Sequence, residues 1–229
     1  MSWWVTEFWE RDPVLLVAIV FWVIWSIVLH ELGHGWAALW AGDDTPRSTG
    51  HMTLNPLVHM GLPALLLFAL LGVTWGSMPV NPSKFRRSIH EVVVLAAGPA
   101  MNLLLFGLCA VAAGFWIAVA NGVIGGAHVG EPLKGGVYRF LWMGAQLNVV
   151  LCLLNLMPLP VLDGGRMLSY VVPPIGRVFR TNGGMVASLL LVLLVFGTIG
   201  PSFWRLGDDA TGMVFSAVYR ALGGVIPTP

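Results

Sequence analysis

Two histidines separated by three residues, His30 and His34, stand at the end of a long apolar stretch, with Glu31 directly after the first of them. On an α-helix, residues four positions apart lie on the same face, one turn above the other. Two imidazole rings placed in this way can hold one metal ion while the neighbouring carboxylate acts on a water molecule. Residues 14–29 carry no charge, so the metal motif is predicted to lie on, or at the end of, a hydrophobic helix.

The composition of the chain is that of a membrane protein. Of its 229 residues, 57% are hydrophobic and 10% are charged, whereas about 25% of the residues in soluble domains are charged. The formal net charge of +1 argues against nucleic acid or any other strongly charged partner. The sequence therefore predicts an all-α integral membrane protein, a polytopic bundle of transmembrane helices in the lipid bilayer, formed by a single domain over residues 1–229.

Five apolar stretches reach or approach the roughly 20 residues that a helix needs to cross a bilayer core about 30 Å thick. Residues 184–229 are expected to form the last helix and an interfacial tail. The second stretch is short, and we expect it to be re-entrant or to pack without crossing. The five helices are predicted over residues 13–41, 61–76, 92–120, 140–157 and 185–204.

A polar, turn-rich segment over residues 48–59 separates the first two stretches. Non-helical backbone at membrane depth persists only where protein or a water-filled cavity satisfies its hydrogen bonds. Because the segment follows the metal motif, we expect it to be a short non-helical, re-entrant piece that lines the active-site cleft, with a β-hairpin as one of its forms. Its histidines, His51 and His59, are candidates for cleft residues or alternative metal ligands. A loop histidine with satisfied hydrogen bonds is the other interpretation of each.

The third metal ligand must come from another part of the chain. The H-E-x-x-H motif is typical of zinc peptidases, whose catalytic zinc takes three protein ligands and leaves its fourth position to water. Asp163 is the leading candidate, because Pro158 and Pro160 end the helix before it and let its carboxylate turn inward. An ionisable residue at membrane depth is a functional-site candidate. The alternative is an ordinary Asp-Gly turn.

The H-E-x-x-H motif at His30 is followed by two further motifs, which begin at Gly98 and Asn155. These three motifs, in this order and on apolar helices, resemble those of the site-2 protease family of intramembrane zinc metalloproteases. The likeness covers residues 13–167, which would be the catalytic core. Residues 55–59 and 79–82 resemble a compact prokaryotic subgroup without PDZ or CBS domains, which often has an acidic residue where this chain has Gly61. The motifs are His30-Glu31-Leu32-Gly33-His34, Gly98-Pro99-Ala100-Met101-Asn102, and the element from Asn155 through Pro158 and Pro160 to Asp163-Gly164.

The resemblance implies hydrolysis of peptide bonds in or near the transmembrane segments of membrane-tethered substrate proteins, as in regulated intramembrane proteolysis. Asn102 and Asn155 would hold the extended substrate backbone or the developing oxyanion. A hydrogen bond to a neighbouring helix is the other interpretation of each asparagine. The resemblance also implies one Zn²⁺ per chain, with His30, His34 and Asp163 as its ligands and Glu31 as the general base.

The metal site also bears on topology. If the second stretch does not cross the membrane, the first and fourth run in the same direction and bring His34 and Asp163 to the same side. Seven basic residues then lie on the side of the motifs and five on the opposite side, which together are the 12 lysines and arginines of the chain. The positive-inside rule favours an active site toward the cytoplasmic side of a prokaryotic cell (inner) membrane.

Two functions of other classes stay open. A membrane metal transporter also binds ions through intramembrane histidines and carboxylates, but its ligands would be spread along a pathway through several helices. A proteolytically inactive membrane scaffold would bind membrane segments without cutting them, and it would have no need of Glu31.

Overall fold

The computed structural model describes residues 3–126, 128–179 and 181–225. Within these residues the chain has no β-strand, only an isolated bridge between Asn121 and His128. The all-α membrane fold is therefore confirmed. The helices are α1 (Trp4–Arg11), α2 (Pro13–Ala41), α3 (Thr45–Ser48), α4 (Pro56–Leu71), α5 (His90–Ala120), α6 (Glu131–Asn155), α7 (Asp163–Val171), α8 (Pro173–Phe179) and α9 (Asn182–Ala221), with a 3₁₀ turn at Pro82–Lys84.

Three helices of the described residues, α2, α5 and α6, are long and apolar enough to cross a membrane, with 29, 31 and 25 residues respectively. Helix α4 has 16 residues, and Gly61, at a φ of 69°, interrupts its helical geometry just before Pro63. It is too short and too kinked to cross a bilayer core as one straight rod. This agrees with the expectation that the second apolar stretch does not span.

The ends of these helices follow ordinary capping chemistry. Pro13 occupies the first position of α2, where its missing N–H has no helical partner to lose. Asn55 caps α4 by accepting a hydrogen bond from the backbone N–H of Leu57, and Gly72 ends the helix at a φ of 73°. Helix α9 is continuous from Asn182 to Ala221, through the start of the stretch expected as a tail, and residues 226–229 of that tail lie outside the described residues.

The chain divides into two compact units. The first takes in the described parts of residues 1–23, 103–150 and 204–229. Its core contains Trp22, which donates from Nε1 to the carbonyl of Phe140 at 2.8 Å and packs against a cluster that includes the buried, free thiol of Cys109.

The second unit comprises the described parts of residues 24–102 and 151–203. In it, the C-terminal part of α2 packs closely on the N-terminal part of α5. A Cβ atom at Gly33 would lie 2.8 Å from the carbonyl oxygen of Ala97, so a small residue is what allows this helix contact. The same unit contains His34 and Asp163.

Candidate metal centre

His30, His34 and Asp163 bring three ligand atoms to one point in the second unit. The Nε2 atoms of the two histidines are 3.0 Å apart, and Oδ2 of Asp163 lies 3.1 Å from the first and 3.2 Å from the second. All three residues are buried, with 6–7% of their surface exposed. Tetrahedral ligand atoms at bonds of about 2.0–2.1 Å would lie about 3.3 Å from one another, so the spacing suits one zinc ion.

Hydrogen bonds on the far side of each imidazole determine which nitrogen faces this point. Nδ1 of His30 lies 2.7 Å from Oδ1 of Asn102, and Nδ1 of His34 lies 2.7 Å from the backbone carbonyl oxygen of Val94. Both partner atoms are oxygens that only accept, so each neutral ring carries its proton on Nδ1 and donates it. Each Nε2 therefore presents a lone pair to the other and to Asp163.

The Asp163 carboxylate completes this set of lone pairs. No donor among the described residues is aligned to hydrogen-bond its Oδ2. Buried lone pairs that face one another are costly unless a cation lies between them, and two imidazoles with one carboxylate suit a catalytic zinc.

Glu31 lies beside this set but is not one of the three converging ligands. It is 7% exposed, and it lines a cavity of about 280 Å³ whose wall also contains the three ligands. A carboxylate in this position is available to exchange a proton with water next to the metal.

Two glycines allow backbone to approach the centre closely. A Cβ atom at Gly98 of α5 would overlap Nε2 of both His30 and His34. A Cβ atom at Gly76 would lie 2.7 Å from Oε1 of Glu31. Helix α5 therefore forms the wall next to the metal ligands, and the chain around Gly76 forms the wall next to the general-base candidate.

The chain around Gly76 has no regular secondary structure; we call it the cleft segment, residues 73–81, between α4 and the 3₁₀ turn. It is anchored by the N–H of Ser77, which donates to the carbonyl of His59 at 2.9 Å, and by the N–H of Asn81, which donates to Oδ2 of Asp43 at 2.6 Å. Residues 74–78 line the cavity. Within the described part of the chain, no other backbone N–H of the cleft segment is paired.

The polar segment 48–59 differs from the expected form. It consists of the end of α3, a series of turns and the start of α4, and no β-hairpin forms there. Its donors are used locally: the N–H of His51 donates to the carbonyl of Pro46, and that of Thr53 to the carbonyl of His51. None of its residues is in the described wall of the cavity, so the non-helical piece beside the centre is the cleft segment instead.

His51 and His59 lie apart from the three converging ligands. His59 is 1% exposed, and its Nε2 lies 2.7 Å from the carbonyl oxygen of Thr53. Nδ1 of His51 lies 3.0 Å from Oγ1 of Thr49. The two rings are edge to face at 6.3 Å, an arrangement that holds the turns of the polar segment together.

Asn102 and Asn155 both line the cavity, but their hydrogen bonds differ from the substrate contacts that the resemblance implies. Asn102 is fully buried and its Oδ1 accepts from His30. Nδ2 of Asn155 donates to the carbonyl of Leu151, one turn earlier, at 3.0 Å. Asn102 is thus positioned to orient a metal ligand.

Three parts of the centre were not predicted from the sequence. The hydrogen bond to the backbone carbonyl of Val94 could not be predicted, because every residue has such a carbonyl and the sequence does not indicate which one is used. The cleft segment had a signal in Gly72, Gly76 and Pro79, which break helices, although residues up to 76 were included in an apolar stretch. Arg166, also in the wall, follows Asp163 at helical spacing, which was an available signal.

Comparisons with known proteins agree with this chemistry. The model of Peptidase family M50 matches residues 115–197. The chain is 32% identical over 214 residues to the Bacillus subtilis protein named "Putative zinc metalloprotease YwhC", covering 91% of this chain and 95% of that protein. It is 28% identical over 202 residues to "Putative zinc metalloprotease Rip2" of Mycolicibacterium smegmatis, covering 84% and 72% of the two chains. No solved structure matches it.

A shorter match joins the chain to "Zinc metalloprotease RasP" of Geobacillus kaustophilus, with 37% identity over 89 residues, which are 35% of this chain and 21% of that protein. The near-complete coverage of the Bacillus subtilis relative is the stronger finding, since it extends over both the H-E-x-x-H helix and the Asp163 element. The chain belongs to peptidase family M50, the site-2 proteases, and is a multi-pass membrane zinc metalloprotease.

Proposed function

We propose that the protein is an intramembrane endopeptidase that cleaves peptide bonds in or near the transmembrane segments of membrane-tethered proteins. The observation that carries this proposal is the buried set of ligand atoms from His30, His34 and Asp163, with Glu31 beside them. Both histidines and the glutamate lie on a helix that is long and apolar enough to cross a membrane. A metal centre there acts on substrates that are themselves in the bilayer.

In this proposal one zinc ion per chain would be held by His30, His34 and Asp163. Asn102 and the carbonyl of Val94 hold the two imidazoles in the ligating tautomer, as outer partners of metal-binding histidines generally do. When bound, zinc polarises the scissile carbonyl as a Lewis acid and lowers the pKa of its water ligand to about 7.

Glu31 is the proposed general base. It takes a proton from the attacking water and passes it to the leaving amine. The close approach of Gly76 keeps water away from one side of the carboxylate and holds it in place. Asn155, in the wall of the same cavity, is proposed to contact the substrate backbone through its carboxamide oxygen.

A peptide bond inside a helix is shielded, because its carbonyl is bonded to an N–H four residues along the chain. The substrate must therefore unwind, and its backbone needs new partners. The cleft segment supports such binding, since it is outside any helix, lines the cavity and has unpaired backbone donors. Addition of a strand to an exposed edge is a known mode of peptide recognition. We assign this role to the cleft segment in place of residues 48–59.

The proposed catalytic core is residues 13–167, with its active site toward the cytoplasmic side of a prokaryotic cell (inner) membrane. The basic residues on the side of the motifs support this orientation. By family analogy alone, the substrate is a membrane-tethered regulator such as an anti-sigma factor or a transcription-factor precursor.

The test compares the purified wild type with Glu31→Gln, which removes the base but no metal ligand. A substrate captured by Glu31→Gln is reconstituted with each protein, and the products are identified by mass spectrometry. We expect Glu31→Gln to retain its zinc and to lose about 10²–10⁴-fold or more in cleavage rate. Near wild-type cleavage by this variant would reject the mechanism.

Metal analysis of two further variants completes this test. Asp163→Ala should lose zinc, whereas His51→Ala, outside the ligand set, should retain it. The opposite result would assign the third ligand to the polar segment. Zinc flux into vesicles without any cleavage would identify a transporter, and capture of membrane segments without cleavage by the wild type would identify a scaffold.

A further inference from the structure

Arg166 is a cation in the wall of the cavity that contains the metal centre. It lies in the first turn of α7, three residues after Asp163. Residues three apart on a helix share a face, with Cβ atoms about 5–6 Å apart. The guanidinium is therefore carried on the same face as a metal ligand, and the residue is exposed whereas Asp163 is buried.

The other ionisable groups in this wall already have assigned tasks. Asp163 and the two histidines face one another, and Glu31 is held beside Gly76. Arg166 forms no salt bridge or hydrogen bond through its side chain within the described residues. Among these residues it is thus the one charged group of the cavity wall that is free to bind an incoming molecule.

A free guanidinium has a definite chemical preference. It is always charged and presents a planar fork of donors that matches a carboxylate. The rest of the wall contains the acidic groups Glu31 and Asp163, the two histidines, neutral polar side chains such as Asn155, and apolar residues. Glu31 would repel a carboxylate on a substrate, so an acidic side chain is tolerated in this cavity where Arg166 can pair with it.

We infer that Arg166 is a specificity-determining residue that selects substrates with an aspartate or glutamate within about four residues of the scissile bond. An extended chain advances about 3.3–3.6 Å per residue, so four residues span roughly 13–14 Å and bring the carboxylate within reach of Arg166. This inference rests on the proposed function. Acidic residues are costly in a bilayer core, so the preferred substrates have their cleavage site near the end of a transmembrane segment.

The test measures binding of matched single-span peptides, in sets of three, to the zinc-loaded Glu31→Gln protein in neutral detergent micelles. Each peptide has a Gly-Pro break in its apolar helix, and a single position within four residues of the break, scanned on both sides, carries Asp, Asn or Lys. At one position at least, the Asp peptide should bind about two- to five-fold more tightly than the Asn peptide, the range for an exposed ion pair, and the Lys peptide should bind most weakly.

Second-site variants are made in the same Glu31→Gln background. Arg166→Glu should reverse this order of affinity, and Arg166→Gln should abolish it. Arg177→Glu is the matched control, because Arg177 is exposed on α8 and is not in the described cavity wall; it should leave the order unchanged. Zinc content and thermal unfolding are measured for each variant, so that an altered order is compared only among folded, metal-loaded proteins.

Equal affinities for the three peptides at every position, or an order that Arg166→Glu does not change, would overturn the inference. So would an effect of Arg166→Glu that is the same for all three peptides and appears only in vesicles containing phosphatidylglycerol, because it would assign Arg166 to lipid phosphate. Binding is measured without the general base, so these outcomes decide the inference even if the wild type cleaves none of the peptides. That failure would count against the proposed peptidase function alone.

Discussion

His30 and Asn102, 72 positions apart in the chain, are joined by a buried hydrogen bond of 2.7 Å from Nδ1 to the carboxamide oxygen. The bond connects the metal helix α2 to α5 and leaves Nε2 of His30 unprotonated beside His34 and Asp163. The carboxamide oxygen of Asn102 thus orients the imidazole ring of His30. The resemblance to known proteases pointed to the position but implied a different partner.

We predict that Asn102→Leu lowers zinc affinity about 10–100-fold, as loss of an outer partner typically does. Asn102→Asp keeps an acceptor for His30 and should retain most of the affinity. Affinity is measured by competition with a chelator. Asn148→Ala is the control, since Asn148 is also fully buried in an apolar helix but donates to the carbonyl of Gly144. Equal zinc loss in Asn102→Asp and Asn102→Leu would argue against an orienting role.

We predict that Gly98→Ala removes zinc and activity, because its Cβ would overlap the Nε2 atoms of both ligating histidines. Gly107→Ala, on the same helix but with nothing within 4 Å of its Cβ, is the control. It should retain zinc, and it gains up to about 1 kcal/mol of helix propensity. Elemental analysis and thermal unfolding separate the two effects. A Gly98→Ala protein with full zinc content would show that α5 can move away from the centre.

The convergence of His30, His34 and Asp163 could be predicted because local rules place each of these residues. Helical periodicity brings His30 and His34 to one face, and the prolines before Asp163 end a helix just where an acidic residue follows. The position of the cleft segment could not be predicted, because it depends on tertiary hydrogen bonds to His59 and Asp43 and on the close approach of Gly76 to Glu31. The periodicity of apolar residues in the sequence gives no information about any of these tertiary interactions.

The start of helix α6 is a second feature that could not be predicted from the local sequence. The helix begins at Glu131 and not at Phe140 as predicted. Residues 131–139 include charged side chains, so they do not resemble an apolar helix in the sequence. In the structure these charges form ion pairs. Lys134 lies 2.5 Å from Glu131, and Arg139 lies 3.1 Å from Asp12. Since Asp12 is far away in the chain, the second pair has no signature in the local sequence.

We predict that acid weakens the anchor of the cleft segment at Asp43. Burial raises the pKa of Asp43, but hydrogen bonds from the N–H of Asn81 and from Thr45 outweigh burial and hold this pKa below its usual value. A lowered pKa in the folded state means that the carboxylate stabilises the fold above the unfolded pKa of about 3.9. This stability is lost as the pH falls through the folded pKa.

The measurement for Asp43 is the difference in unfolding free energy between wild type and Asp43→Asn as a function of pH. It should be constant from about pH 7 to pH 5 and should shrink below about pH 4. The difference cancels the titration of other groups that the two proteins share. A difference that instead shrinks between pH 7 and pH 5 would show that a histidine, and not this carboxylate, is responsible.

Our last prediction concerns the backbone of the cleft segment. Trp75→Pro deletes one N–H in the cavity wall, whereas Trp75→Ala removes the ring and keeps the N–H. If the substrate pairs with this backbone, the proline variant should cleave about two- to twelve-fold more slowly than the alanine variant, the worth of one hydrogen bond of about 0.5–1.5 kcal/mol. Gly or Pro near the scissile bond of the substrate should raise the rate of cleavage, because it lowers the free-energy cost of unwinding the substrate helix.

Leu54→Pro, in the polar segment outside the described cavity wall, is the control and should leave the rate of cleavage unchanged while zinc content stays full in all three proteins. If Leu54→Pro slows cleavage and Trp75→Pro does not, the substrate is held by residues 48–59; if neither matters and substrate helicity has no effect, no strand is added at all.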